Sequence, residues 1–259
     1  EVLKDAASGA VYGARAANGD ILVTTKQGQK GKTKVNYDFS YGWQNPWRKP
    51  SVLNATEYAV MMNEGYVNSG KAPIYADPYA FGEGTDWVEL IFNDNAPVQK
   101  HDLNITGGND KLTYSTSVGY LYKEGTIGGN YGRSNYDRIT VRQTLNAVLF
   151  DNAAQRDWLN KMTFNTAISY AHMNSTGISA NSEFGSPLGS ALAMSPLLDV
   201  YATPEEEEQY KTMYPDGYAH IVRDASGRAY TVVDGNVYNE QTNPLAALSL
   251  PGTKYDTDK

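Results

Sequence analysis

The feature that most constrains the fold is a stretch of alternating residues at positions 103–122, interrupted by the turn-forming residues Gly107-Gly108-Asn109-Asp110. Two alternating runs on either side of such a turn predict an antiparallel β-hairpin. In the second run, one face carries Leu112, Tyr114, Val118, Tyr120 and Tyr122, and the other carries Thr113, Ser115, Ser117 and Gly119. A soluble sandwich would bury the apolar face and an outer-membrane barrel would turn it to lipid, so alternation alone leaves both folds open.

Three further segments show the same alternation, which brings the predicted strands to five. With the two strands of the hairpin, they cover residues 34–43, 98–106, 111–123, 133–148 and 161–173. The ten residues of the first strand are enough to cross a hydrocarbon layer at a tilt of about 45°. In the fourth strand, Arg138 and Arg142 share the polar face, which a barrel would turn to its lumen and a soluble sheet to solvent. The strand and turn pattern predicts an all-β protein.

The connections between the predicted strands alternate in length. Those at 107–110 and 149–160 are short, those at 44–97 and after residue 174 are long, and the one at 124–132 is intermediate. Outer-membrane barrels have short periplasmic turns and longer extracellular loops. The pattern therefore favours a barrel whose first strand runs outward, whereas a sandwich gives no reason for it.

Two helices are predicted within the long connections. In the first, Asn54 and Glu57 have the spacing of a capping box, and Gly65 ends the helix. The apolar stripe of this helix comprises Tyr58, Met61 and Met62. The second helix starts with Thr203 as its cap and Pro204 at its first position, and it runs to residue 214.

Composition narrows the function. The 259 residues carry a net charge of −7 and include no cysteine. The charge argues against a nucleic-acid partner, because phosphates need a basic surface, and the lack of thiols excludes Cys-based zinc sites and thiol catalysis. His101, His172 and His220 lie at no metal-ligand spacing, and acid pairs such as Glu83 with Asp86 lie in connections. The sequence therefore predicts no metal, no cofactor and no enzymatic activity.

The first 28 residues carry a more specific signal. Residues 2–12 are predicted to form a helix closed by Gly13, and Asn18-Gly19 is a turn that precedes a strand at 20–25. The whole segment, EVLKDAASGAVYGARAANGDILVTTKQG, resembles the end of the plug domain in SusC/RagA-type TonB-linked outer-membrane transporters. Landmarks of that family's barrel follow in its order. They are TDWVELIF at 85–92, ITGGNDKLTY at 105–114, YKEGTI at 122–127, the strand at 138–146 and AMSPLLDVY at 193–201.

The resemblance implies a division of the chain. Residues 1–30 would be the C-terminal end of an α+β plug domain, and residues 31–259 would be the N-terminal part of a large antiparallel transmembrane β-barrel. The long extracellular loops would lie at 44–97 and 174–250. Barrels of this family have about 22 strands. The chain is therefore expected to be a fragment, without the TonB-box region, most of the plug and most of the barrel.

The resemblance also implies a function and partners. The expected activity is TonB-dependent active transport of a nutrient, an oligosaccharide or other glycan or a peptide, across the bacterial outer membrane. The expected partners are the TonB–ExbB–ExbD energy-coupling complex, a SusD-like surface lipoprotein, outer-membrane lipid and the ligand itself. No nucleic acid is expected.

The candidate site residues are loop aromatics and lumen-face arginines. The ligand-contact candidates are Trp47, Tyr75, Tyr79, Phe81, Arg138 and Arg142. Arg15 is a candidate plug–barrel contact that would pair with a lumen acid, the alternative being a solvated turn residue. Two other functions stay open. One is a carbohydrate-binding β-sandwich of a secreted or surface protein, and the other is a β-protein enzyme such as a glycosidase, which needs two carboxylates about 5 to 9.5 Å apart.

Overall fold

The computed structural model describes residues 28–151, 158–179, 185–233, 242–250 and 254–258, together with the strand backbone at 2–3 and 20–21. Most of the regular structure is β-strand. One sheet contains six strands in the order of the chain. They are β3 (Gly31–Gln44), β4 (Ala96–Gly108), β5 (Leu112–Glu124), β6 (Asn135–Asp151), β7 (Lys161–Ile178) and β8 (Lys254–Asp258). A separate antiparallel pair joins β1 (Val2–Leu3) and β2 (Asp20–Ile21).

The predicted hairpin is confirmed as β4 and β5, which are neighbours in the sheet. Asn109 shapes its turn, because its side-chain oxygen accepts from the N–H groups of Lys111 at 2.8 Å and Leu112 at 2.9 Å. Gly108 has a φ of 154°, a backbone conformation that few residues with a Cβ adopt. The local turn chemistry therefore sets where the two strands begin and end.

The other predicted strands are confirmed with bounds that differ by up to five residues, but the number of strands is wrong. The sequence predicts five strands, and the sheet has a sixth, β8. In the antiparallel β7–β8 pair, Asn174 lies opposite Asp258 and Ile178 opposite Lys254. The predicted loop at 174–250 thus starts too early, because residues 174–178 are strand. Lys254–Asp258 lacks apolar alternation, so only the pairing with β7 reveals it as a strand.

The predicted helix at 2–12 is wrong at its start. Val2–Leu3 is a strand, with Val2 opposite Ile21 and Leu3 opposite Asp20. Pairing with β2 gives these backbone groups hydrogen-bond partners that the first turn of a helix would leave open. The rest of that predicted helix, and residues 22–25 of the predicted strand, lie outside the described residues.

The described helices are all short to moderate in length. They are α1 (Ala55–Asn68), α2 (Trp87–Ile91), α3 (Pro187–Ala193), α4 (Pro204–Met213) and α5 (Pro244–Ser249), with 3₁₀ turns at Pro78–Phe81, Gly129–Tyr131 and Tyr218–His220. None of these helices has the length and apolar character that crossing a bilayer requires. The predicted capping box of Asn54 with Glu57 in α1 and the predicted cap Thr203 of α4 are confirmed, and Thr203 also forms a capping box with Glu206.

One prediction about α1 is wrong. The helix does not end at Gly65 but continues to Asn68, and Gly65 contributes its carbonyl oxygen to the N–H of Ser69 at 3.1 Å. A glycine inside a helix costs some stability without stopping it. The fully buried residues of α1 are Ala55 and Ala59, one turn apart. In the predicted apolar stripe, Tyr58 and Met62 are half-buried and Met61 is exposed.

The chain forms two compact units. The first contains residues 1–37, 102–118 and 140–170, and the second contains residues 38–101, 119–139 and 171–259. A hydrophobic core lies in the second unit, where α2, α3 and α5 pack together with the segment around Tyr230. The buried residues of this core are Trp87, Val88, Ile91, Ala191, Met194, Tyr230, Leu245, Ala246 and Leu248.

Candidate functional site

The apolar face of β3 is exposed. Val35, Tyr37, Phe39, Tyr41 and Trp43 follow one another at every second place, and their exposed fractions lie between 50% and 63%. Strand β7 shows the same arrangement, with exposed Met162, Phe164, Ile168 and Tyr170. The β-sandwich alternative expects such faces to meet in a core. In the described residues these two faces are open instead.

The predicted polar face of β6 contains both arginine candidates. Arg138 and Arg142 are each exposed on this strand. Thr144 follows on the same predicted face, and its buried hydroxyl oxygen has no hydrogen-bond partner among the described residues. Exposed guanidinium groups carry five N–H donors each and can bind carboxylate or hydroxyl groups of a ligand.

The structure brings two of the predicted aromatic residues into contact. The rings of Tyr75 and Phe81 meet edge to face, with centroids 5.3 Å apart and planes at 80°. Asn63 of α1 fixes the backbone there, because its side-chain oxygen accepts from the N–H groups of Ile74 at 3.0 Å and Tyr75 at 2.9 Å. Its amide also donates to the carbonyl of Tyr75 at 2.8 Å. Burial raises the pKa of the Tyr75 phenol above its ordinary value.

Tyr79 completes what we call the aromatic cluster, defined as Tyr75, Tyr79 and Phe81. It lies in the same 3₁₀ turn as Phe81, and its N–H donates to the Asp77 side chain at 3.1 Å. Its ring is 75% exposed. Trp47 is 93% exposed and therefore stands apart as a single solvent-facing ring. The exposed rings of Tyr79 and Trp47 are each able to stack on a flat ligand.

Arg15 lies outside the described residues, so its proposed pairing stays a prediction.

Sequence reasoning missed a stacked group formed by Arg228, Tyr201 and Tyr230. The guanidinium of Arg228 lies 3.7 Å from the centroid of the Tyr201 ring, which stacks on Tyr230 at 5.1 Å. Arg228 also pairs with Asp224 at 2.8 Å. Hydrogen bonds from the Ser226 hydroxyl and from Arg228 hold the pKa of Asp224 well below its usual range. The only local signal was the DASGR sequence at 224–228, which has the composition of a turn.

A second missed group joins α4 to the segment after it. Arg223 donates to the Glu207 carboxylate, and the Tyr218 hydroxyl donates to the same oxygen at 2.6 Å. The Arg223 guanidinium lowers the pKa of Glu207, with help from Tyr218. Glu207 is one of the four consecutive glutamates that the sequence shows at 205–208. One of these acids thus holds α4 against its neighbouring turn.

The second unit also contains an open groove of about 450 Å³. Part of its wall is apolar, and Glu57 and Thr85 add polar groups. Its apolar lining includes Val52, Leu53, Trp87, Leu192 and Met194. Within the described residues, no three His, Cys, Asp or Glu side chains come together as a metal site would require.

Comparisons with known proteins show that the chain is similar to TonB-dependent receptors. The chain is 30% identical to the TonB-dependent receptor SusC of Bacteroides thetaiotaomicron over 263 aligned residues, which cover 99% of the chain and 23% of SusC. It is 34% identical to the TonB-dependent receptor P26 of Formosa agariphila over 58% of the chain and 15% of that receptor. For the TonB-dependent receptor P3 of the same organism, the identity is 32% over 54% of the chain and 13% of that receptor. The chain thus spans less than a quarter of the length of these relatives.

Solved structures of a RagAB complex also align with the chain. In the alignment with the RagAB peptide importer in its open-open state, 71% of the present chain matches 22% of the importer chain, with 23% identity and a TM-score of 0.44. The RagAB peptide transporter aligns over the same shares, with 22% identity and a TM-score of 0.49. No protein-family model matches the chain.

Proposed function

The resemblance to the SusC/RagA family of TonB-dependent transporters is confirmed, and with it the outer-membrane location; on this premise we propose that the protein imports a nutrient across the bacterial outer membrane. The proposed cargo is an oligosaccharide or a peptide, and energy comes from TonB. The process consists of binding and gating, so it requires no covalent chemistry from the chain.

The exposed apolar face of β3 is the observation that carries this proposal. Five large apolar residues at least half exposed on one strand form a surface that water solvates poorly. Lipid would cover this face in a barrel wall. We propose that residues 31–259 belong to a large antiparallel barrel of about 22 strands. Residues 1–30 are proposed to end the plug that closes its lumen.

Ligand contact is proposed for the aromatic cluster, Trp47 and the two arginines. Aromatic rings offer flat apolar faces to sugar rings and to peptide side chains alike. Arg138 and Arg142 would add hydrogen-bond donors on the lumen side of the wall. Arg15 is proposed to pair with a lumen acid and so to hold the plug, because a buried cation is costly without a partner.

Two sets of partners are proposed. A SusD-like surface lipoprotein would cover the extracellular loops, where the second unit contains its packed core. The TonB–ExbB–ExbD complex would pull on the plug from the periplasmic side. The receptor names of the relatives favour a transport role over an enzymatic one.

Orientation and transport can be tested together in intact cells. These 259 residues contain no cysteine. Once any cysteines elsewhere in the gene product are replaced, Glu205→Cys and Asn109→Cys each provide a single labelling site. A membrane-impermeant maleimide should label position 205, on a long connection, and not position 109, in the short turn. Uptake of dye-tagged oligosaccharides or dye-tagged oligopeptides should require both this protein and TonB. If only position 109 were labelled, the orientation would be the opposite of the proposed one. If both probes were taken up without TonB, the transport proposal would be refuted.

A further inference from the structure

The residues just before β3 lie against the β4–β5 hairpin, within the first unit. Gly28 is pressed onto the backbone of Tyr114 in β5. A Cβ on Gly28 would lie 2.4 Å from the Tyr114 nitrogen, 2.5 Å from its oxygen and 2.6 Å from its carbonyl carbon. Real Cβ atoms do not approach backbone this closely, and backbone cannot rotate away as a side chain can. Only glycine fits at this position.

The path from Gly28 to β3 is short for the distance it covers. Strands β3 and β5 are separated by β4, so their axes are about 9.6 Å apart, two spacings of roughly 4.8 Å. Three residue steps, from Gly28 to Gly31, span at most about 10 Å. The chain must therefore cross β4 almost fully extended. Gly31 has a φ of 138°, in the region open to glycine, where the path turns into β3.

Two further contacts fasten the same segment. The Lys30 ammonium binds the Asp110 carboxylate in the hairpin turn at 2.6 Å. The Thr33 hydroxyl is 2.7 Å from the Tyr114 hydroxyl. The Tyr114 side chain reaches Thr33 by lying over Gly107 of β4, where a Cβ would come within 2.8 Å of the tyrosine oxygen. The contacts to residues 28, 30 and 33 thus all lead to Tyr114 or to the adjoining turn.

We propose that residues 28–33, here called the crossing segment, anchor the proposed plug to the barrel wall, with Gly28 and Tyr114 as its positioning residues. The inference rests on the proposed function, which assigns residues 1–30 to the plug. A pull on the chain before Gly28 would be transmitted to the backbone of β5 and to the hairpin turn. Strand β3 would keep its register while the plug changes shape.

The test compares Gly28→Ala with Gly42→Ala in the intact gene product. The control is matched because a Cβ on Gly42, within β3, meets nothing within 4 Å. A single reporter cysteine, Gln29→Cys, is placed at an exposed position of the crossing segment. In isolated outer membranes, Gly28→Ala should raise the rate of maleimide labelling at position 29 severalfold, because the added methyl group displaces the segment. In intact cells it should also raise sensitivity to vancomycin, an antibiotic too large for a closed plug to admit.

A charge exchange gives an independent readout if Gly28→Ala fails to assemble. Lys30→Glu should raise labelling at position 29 about twofold, the scale expected for an exposed ion pair, and the double variant Lys30→Glu with Asp110→Lys should restore it. The anchor is refuted if position 29 is labelled at the same rate in Gly28→Ala as in Gly42→Ala. It is also refuted if the double variant is labelled at the same rate as Lys30→Glu alone. Cargo uptake independent of TonB would refute the transport proposal, whereas the labelling in isolated membranes would still decide whether the segment is clamped.

Discussion

Replacing Trp87 by alanine should open the core of the second unit. Trp87 is 2% exposed and belongs to the hydrophobic core that α2, α3 and α5 share. Its indole N–H donates to the carbonyl of Ser195 at 3.0 Å, so it also closes a hydrogen bond between α2 and the segment after α3. Removing the ring leaves a large cavity and takes away one of the two hydrogen bonds to the Ser195 carbonyl, which still accepts from the N–H of Leu198 at 3.2 Å.

The size of the effect follows from the burial of the ring. Truncation of a fully buried tryptophan costs about 3–5 kcal/mol. At about 1.36 kcal/mol per tenfold change, the opening equilibrium of the unit should rise roughly 150-fold to 5,000-fold. Trp87→Phe keeps most of the apolar contact but loses the donor to Ser195, and the loss of this one hydrogen bond should cost about 0.5–1.5 kcal/mol. The phenylalanine variant should therefore lie between wild type and alanine.

Limited proteolysis of the detergent-purified protein measures this opening. When the unit closes faster than the protease cuts, the cleavage rate within residues 185–233 follows the population of the open form. Trp47→Ala is the matched control, because this second tryptophan of the same connection is 93% exposed. Its removal should change stability by less than about 0.5 kcal/mol, or roughly twofold in rate. If Trp87→Ala were cleaved no faster than Trp47→Ala, the packed core would not be what holds the unit together.

Two further predictions concern local stability. Because Arg223 lowers the pKa of Glu207 in the folded protein, the stability from this contact is present above the ordinary pKa of 4.5 and is lost as pH falls below it. Proteolysis near α4 with an acid-active protease should accelerate between pH 5 and pH 3, and Glu207→Gln should flatten that dependence; an unchanged pH profile in Glu207→Gln would contradict the assignment. Gly65→Ala should stabilise α1 by about 0.5–1 kcal/mol, since the new methyl group meets nothing within 4 Å and glycine is a poor helix former. Hydrogen exchange of the amides of α1 should slow accordingly, and faster exchange would show that the glycine is needed there.

Features with short sequence separation were predictable. The β4–β5 hairpin follows from two alternating runs around a Gly-Gly-Asn-Asp turn, and both capping boxes join residues three positions apart. The residue types of the ligand-contact candidates were also visible in the sequence. Which of them touch was not, because the Tyr75–Phe81 contact depends on Asn63 holding the backbone of a segment eleven and twelve residues away.

Features with long sequence separation required the tertiary structure. Strand β8 has no apolar alternation, and it becomes a strand because β7 supplies a pairing edge about 80 residues earlier in the chain. The short helices α2, α3 and α5 owe their stability to one another, as the hydrogen bond from Trp87 to Ser195 across 108 positions shows.

The sequence by itself determined the alternation of the strands, the chemistry of the turns and caps, and the family resemblance. Each of these depends on residues near one another in the chain or on a pattern of residue types. The tertiary structure alone decided that the apolar faces of β3 and β7 are exposed and that Gly28 must be a glycine. Alternation specifies that a strand has two different faces, but the surroundings of a face depend on parts of the chain that approach only after folding. The need for glycine at position 28 was hidden in the sequence for the same reason, since the backbone that Gly28 touches belongs to a residue 86 positions later in the chain.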